Sequence, residues 1–210
     1  MTRADGEGKL RRMGFISSIS ATRQKLLLFL TSCLAFIGMG IAQSMYGPFY
    51  PLFRAHFGLS AAEVASITAI HFSGATVAVA ASGFLGRRLG AFPVVTTASF
   101  LITLGYLGIA VSPSWPLMLA STLLLGLGFG GLVSLNFLVA RVFPVYAAST
   151  LSLLNALFSF GSILGPLLAS PFLAAGRHWP AFVIGGTVTA IVFLLFLFQS
   201  YPPAAGAQPS

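Results

Sequence analysis

Charge is nearly missing from most of this chain, and the places where it is missing decide what the chain can become. Apart from Glu63, no Asp, Glu, Lys or Arg occurs between His56 and Gly86; none occurs from Leu89 to Ala140, from Val142 to Gly176, or after Arg177. A helix crosses a hydrocarbon core of about 30 Å with roughly 20 apolar residues, because each residue rises about 1.5 Å. These runs are long enough for several crossings. Only 7% of the residues are charged and 57% are hydrophobic, against about a quarter charged in a soluble domain. The composition is that of an integral membrane protein, and lipid is its first partner.

Turn signals divide the runs. Span one is expected from Leu26 to about Tyr50, ended by Pro48 and Pro51 close to Arg54. Span two opens near Glu63 and stops at Leu85. Span three runs from about Pro93 to Val111 and is closed by Ser112-Pro113-Ser114-Trp115-Pro116, a proline and serine cluster that cannot continue a helix. Span four extends to about Val139, span five from Ala147 to Leu173, and span six from Ala181 to Phe198. Helices are required because backbone amides in lipid must bond within their own segment, and no stretch shows the alternation of a membrane β-barrel. The expected organisation is a basic cytoplasmic tail over residues 1–25, a six-helix membrane domain over 26–199, and a Pro/Ala-rich tail over 200–210. Ser60-Ala61-Ala62-Glu63 reads as a capping box that opens span two.

The cations set an orientation. With the N-terminus inside, the inner side carries Arg3, Lys9, Arg11, Arg12, Arg23, Lys25, Arg87, Arg88 and Arg141, and the outer side only Arg54 and Arg177, which together make the 11 Lys and Arg of the chain. That asymmetry places both termini in the cytoplasm of an inner or plasma membrane. It accounts for most of the net charge of +8, with attraction to anionic lipid secondary. Nucleic-acid binding has no further support. The basic start, then Leu26 onward and Gly40-Ile41-Ala42 before Gln43, has the outline of a cleaved signal peptide. The apolar run is long, however, and five more follow it, so a retained first span is expected.

The order of features resembles the N-terminal half of a major facilitator superfamily transporter, from about Gly40 to Phe198. The loop after span two carries Gly83, Arg88 and Gly90 at positions of that family's loop motif, while Arg87 stands where the family has an aspartate, and Ala91 and Phe92 replace its final basic pair. In span five, Gly161, Gly165 and Pro166 match the family's glycine-x-x-x-glycine-proline signature; small residues there let helices approach and proline bends them. Ser152 stands where the extended antiporter version has a glycine. A faint repeat accompanies these motifs. Gly86 to Phe92 and Gly176 to Phe182 share Gly, Arg, Ala and Phe in register, and Ala61-Ala62, Ser66 and Phe72-Ser73 recur as Ala147-Ala148, Ser152 and Phe158-Ser159. A three-plus-three inverted repeat predicts such a pattern.

The resemblance implies an all-α fold of six transmembrane helices equal to one half of the family's architecture. It also implies transport of a small solute by alternating access, with spans one and four lining the cavity and spans two and five meeting the other half. A parallel homodimer imitating a twelve-helix transporter is the leading expectation. A separately encoded second six-helix chain, a truncated transporter fragment and a non-transporting membrane scaffold are the alternatives.

Candidate solute-lining residues are Gln43, Tyr46 and Tyr50, spaced to share a helix face with Arg54, together with Asn136 and Asn155, since polar side chains in lipid turn inward. His71, the one ionisable side chain deep in a span, is a candidate proton site. No carboxylate lies deep in any span, so uncoupled diffusion is the simpler mechanism, and a neutral, hydrogen-bonding solute such as a sugar, or an amphipathic compound, is the expected cargo. Enzymatic activity is not expected. An intramembrane serine protease needs a serine within reach of a histidine base, and no Gly-x-Ser-Gly elbow is present. No cofactor is implied. No metal site is expected from one cysteine, Cys33, and three scattered histidines, His56, His71 and His178.

Overall fold

The computed structural model describes the backbone of residues 3–199 and the side chains from Thr22 to Gln199. The basic side chains of Arg3, Lys9, Arg11 and Arg12 and the segment 200–210 lie outside the described residues. Every described element is helical: α1 (Arg3–Phe57), α2 (Ala61–Leu89), α3 (Ala91–Val111), α4 (Trp115–Leu132), α5 (Ser134–Val142), α6 (Ala147–Ala174) and α7 (Trp179–Leu197), with a short 3₁₀ turn at Pro144–Tyr146. Six stretches are long and apolar enough to cross a membrane: Thr22–Phe57, Ala61–Leu89, Ala91–Val111, Trp115–Val142, Pro144–Ala174 and Trp179–Leu197. The six expected spans are these, with one correction. Pro48 and Pro51 do not end span one; α1 continues through both to Phe57. Proline in a lipid-embedded helix is tolerated when neighbouring helices hold the segment, and Phe49 and Phe53, on either side of Pro51, are fully buried against Phe182 of α7.

The connections follow local chemistry. Ser60 and Glu63 complete the capping box at the start of α2: the Glu63 amide donates to Ser60 Oγ at 3.2 Å and the Ser60 amide to Glu63 Oε2 at 2.7 Å. One residue, Gly90, separates α2 from α3, and its φ of 89° is a conformation open mainly to glycine. Span four is interrupted at Val133, so α4 and α5 together make one crossing.

Packing follows an exchange rule. The closest helix pairs are α1 with α6, α4 with α2, α3 with α4, α7 with α1, and α3 with α7. Exchanging span one for four, two for five and three for six maps this set onto itself, as a three-plus-three inverted repeat requires. Glycines at the crossings obey the same rule. A Cβ on Gly40 would lie 2.0 Å from the Phe158 carbonyl oxygen of α6, and one on Gly126 of α4 would lie 2.2 Å from the His71 carbonyl oxygen of α2. Gly40 and Gly126 are separated by the same interval as Ala61 and Ala147, or Phe72 and Phe158. The two Gly-Arg stretches are displaced differently: Gly86 to Leu89 form the last turn of α2, whereas Gly176 to His178 lie in the connection between α6 and α7.

Candidate functional site

In a bundle that is apolar almost throughout, the informative atoms are buried polar ones without partners. Among the described residues these are Gln43 Oε1, Tyr46 Oη, both ring nitrogens of His71, Tyr106 Oη and Asn136 Oδ1. Leaving such a group unpaired away from water costs about 1–3 kcal/mol each, and water is scarcer still in a bilayer. Five of the six atoms belong to four residues singled out from sequence: Gln43, Tyr46, His71 and Asn136. They come from spans one, two and four.

Tyr46 and His71 form the centre of the group. Tyr46 is 5% and His71 3% exposed, and their rings meet edge to face with centroids 5.9 Å apart. Phe129 of α4 lies on another side of His71 at 5.4 Å, and Phe158 of α6 lies beyond Phe129 at 6.3 Å. Tyr46 Oη approaches Thr122 of α4 without reaching hydrogen-bond geometry, and the Thr122 hydroxyl donates to the Met118 carbonyl of its own helix. Gln43 stands one turn before Tyr46 on α1. Helices α1 and α2 therefore bring hydrogen-bonding groups together beside aromatic rings of α4 and α6. Gly126 makes this possible, since its missing side chain lets α4 lie against α2 at His71 itself.

Tyr50 and Asn155 have other places. The Tyr50 hydroxyl shares a hydrogen bond with Thr68 of α2, tying α1 to α2 toward their connected ends. Asn155 is exposed, with its amide donating back to the Leu151 carbonyl at 3.0 Å; it joins no other candidate within the described residues. Asn136 sits in α5, just past the interruption at Val133. Arg54, expected on the face of Gln43, is exposed and directs Nε to the Leu59 carbonyl at 3.4 Å.

The loop-motif residues Gly83, Arg87, Arg88 and Gly90 are all exposed, and the Arg88 guanidinium lies 4.5 Å from the Phe84 ring centroid. In α6, Gly161 and Gly165 are close-approach positions. A Cβ on Gly161 would sit 2.2 Å from the Ile37 carbonyl oxygen of α1, and one on Gly165 would sit 2.1 Å from Ser44 Oγ. Pro166 stays within a continuous helix and is exposed.

Sequence reasoning missed Tyr106. It is 1% exposed in α3, and its ring lies so close to Gly185 of α7 that a Cβ there would be 2.5 Å away. Tyr106 borders a pocket of about 30 Å³ shared with Ile41, Met45, Phe172 and Ile184, room for a water. Gly185-Gly186 in span six was the available signal.

Two helices leave much of their surface uncovered. In the most apolar window of α6 only 17% is buried and of α2 28%, whereas in the other four spans at least 39% is. The uncovered surfaces are not purely apolar. Ser73 and Thr76 on α2, and Ser149, Ser152, Asn155 and Ser159 on α6, are exposed.

Comparisons with known proteins identify the family of this six-helix fold. The family model described as Major Facilitator Superfamily matches residues 28–210, and the chain belongs to that family. It is 29% identical over 183 residues to "Myo-inositol transporter 3C" of Cryptococcus neoformans var. grubii serotype A, a match covering 84% of this chain and 31% of that one. It superposes on a chain of the crystal structure of a D-xylose-proton symporter with a TM-score of 0.73 at 15% identity, covering 85% of this chain and 49% of the other. The chain thus spans about a third of the length of the curated relative and about half of the solved one.

Proposed function

We propose that this chain carries one half of a transporter for a small, neutral, hydrogen-bonding solute of the sugar or polyol class, moved by alternating access between two six-helix units. The unpaired polar atoms of Tyr46 and His71, which meet edge to face, with those of Gln43 one turn before Tyr46 and of Asn136 in α5, carry the reading. A hydroxyl-rich solute supplies both donors and acceptors to amide, phenol and imidazole, and its ring carbons suit the faces of Tyr46 and Phe129. The likeness to an inositol transporter and to a xylose symporter supports the same class. The described residues hold no carboxylate deep in a span, which favours an uncharged cargo over a cation.

The second unit faces α2 and α6, and a second copy of this chain in parallel orientation fits that place. Both termini lie on the cytoplasmic side in this reading, which rests on the charge asymmetry. His71 is the one group able to take up a proton within the solute site; without such a role the transport is uncoupled.

The test uses the chain in proteoliposomes. Saturable uptake of radiolabelled myo-inositol or xylose, with counterflow from preloaded vesicles, is expected. Solute at 100 times its Kd raises the stability of the detergent-purified chain by about 2.7 kcal/mol. Absence of both uptake and ligand-dependent stabilisation across hexoses, pentoses and inositols overturns the proposal.

A further inference from the structure

Two of the three histidines, far apart in sequence, meet at one end of the bundle. His56 lies in the last turn of α1 and His178 immediately precedes α7. Their ring centroids are 6.0 Å apart with the planes inclined by 58°. Each ring is braced by an aromatic neighbour: His56 by Phe57 at 4.6 Å and His178 by Phe53 at 5.3 Å, both edge to face. His178 packs further against Phe182 at 6.3 Å. His178 is half-buried and His56 exposed, so the pair is fixed on one side and open to water on the other.

We propose that His56 and His178 form a transition-metal site at this end of the bundle, taking Cu²⁺, Zn²⁺ or Ni²⁺ through one nitrogen from each imidazole with water completing the shell. Two imidazoles on a tetrahedral ion, each with a metal–nitrogen bond of about 2.0–2.1 Å, hold their ligating nitrogens about 3.3 Å apart. Rings bound in that way have centroids roughly 5 Å apart, so the observed 6.0 Å has to close by about 1 Å. Burial among Phe53 and Phe182, and secondarily the neighbouring His56, hold the pKa of His178 below the ordinary histidine value. A metal takes the neutral ring, the form that offers it a lone pair. Arg54, two residues before His56 on the same helix, directs its guanidinium to the Leu59 carbonyl. Imidazole suits copper, zinc and nickel, whereas magnesium and calcium prefer oxygen. No group of three or more His, Cys, Asp or Glu side chains gathers among the described residues, so the site is open, with two protein ligands.

The consequence is mechanical. A bound ion links the end of span one to the connection between spans five and six, holding together elements that otherwise touch there through aromatic edges. This does not depend on the solute or on the transport reading.

The experiment uses the full chain in detergent or nanodiscs, purified without a histidine tag. Micromolar CuCl₂ or ZnCl₂ is expected to raise its Tm, with reversal by EDTA, and Cu²⁺ electron paramagnetic resonance is expected to show nitrogen ligation. His56→Ala and His178→Ala each weaken binding by more than the roughly 10–100-fold that loss of an outer-shell partner costs. Cu²⁺ binds more tightly than Zn²⁺, and MgCl₂ has no effect. His71→Ala keeps the metal response, because His71 is buried elsewhere. Because each single variant could alter folding, their metal-free melting curves are compared with that of the parent chain; folded variants that retain the full metal shift overturn the site, as does a parent chain with no shift and no nitrogen-ligated copper.

Discussion

At Gly161 a single methyl group separates a fitted helix crossing from an overfilled one. A Cβ there would lie 2.2 Å from the Ile37 carbonyl oxygen and 3.1 Å from its Cα, both backbone atoms that cannot swing aside. Gly161→Ala therefore forces α1 and α6 apart and is expected to destabilise the chain by about 1–3 kcal/mol, read as a lower Tm in detergent. Gly83→Ala is the control: nothing lies within 4 Å of its added Cβ, and replacing a helical glycine by alanine gains up to about 1 kcal/mol. The two buried tyrosines without partners separate in a different way. Tyr46→Phe removes a hydroxyl left unpaired beside His71, so stability holds or rises while solute binding, measured by titration, weakens about three- to tenfold. Tyr106→Phe removes an equally orphaned hydroxyl from α3, on a ring that meets Phe182 at 6.1 Å, and it is expected to leave solute affinity unchanged. Equal losses in both variants would remove Tyr46 from the solute site.

Among elements, boundaries were legible in the sequence and faces were not. Span ends announce themselves through Ser60 and Glu63, the Pro113–Pro116 cluster and the arginines, all local signals that act within a turn. Pro48 and Pro51 misled because their cost in water is offset here by burial of Phe49 and Phe53 against α7. Faces failed for another reason: helices such as α3, α4 and α7 are apolar nearly all round, so periodicity does not distinguish core from lipid. Asn155 shows the result, a polar residue expected inward that lies on the uncovered side of α6. His71 stood out as the one ionisable side chain deep in a span and Tyr46 by its spacing with Gln43 and Tyr50, whereas nothing local marks Tyr106, whose ring is buried against Gly185 of a distant span. Helix starts remain testable one at a time. Ser60→Ala breaks both the Oγ bond to the Glu63 amide and the fit of the box, and it is expected to cost about 1 kcal/mol, seen as a lower Tm; a melting curve unchanged from the parent would show that α2 is held by packing against α4 alone.

For the whole molecule, the uncovered surfaces of α2 and α6 are repeat mates, and that relation shapes the partner. Ser66 and Ser152, and Ser73 and Ser159, occupy equivalent places, so the two helices carry matching patterns of small and polar residues. Lipid is a poor cover for Ser73, Thr76, Ser152, Asn155 and Ser159, since polar groups turn away from hydrocarbon when a protein surface or a water-filled cavity is available. The exposed face of α3, with Phe100, Leu104 and Leu107, is by contrast suited to acyl chains. A second six-helix unit is therefore expected on the α2 and α6 side and nowhere else. Cys33 is the only cysteine, so a Cys33→Ala background permits single reporters. Asn155→Cys in that background is expected to yield a disulfide-linked or bismaleimide-linked dimer in membranes, twice the 21.9 kDa of the chain, while Leu107→Cys is not. Under the proposed alternating access, which rocks one unit against the other across this face, solute added before the reagent is expected to alter the Asn155 yield and not the Leu107 background. An adduct of another mass identifies a separate partner chain in place of the second copy; equal dimer yield at both positions would mean random collision in the bilayer and would remove the α2 and α6 face as the place where two units meet.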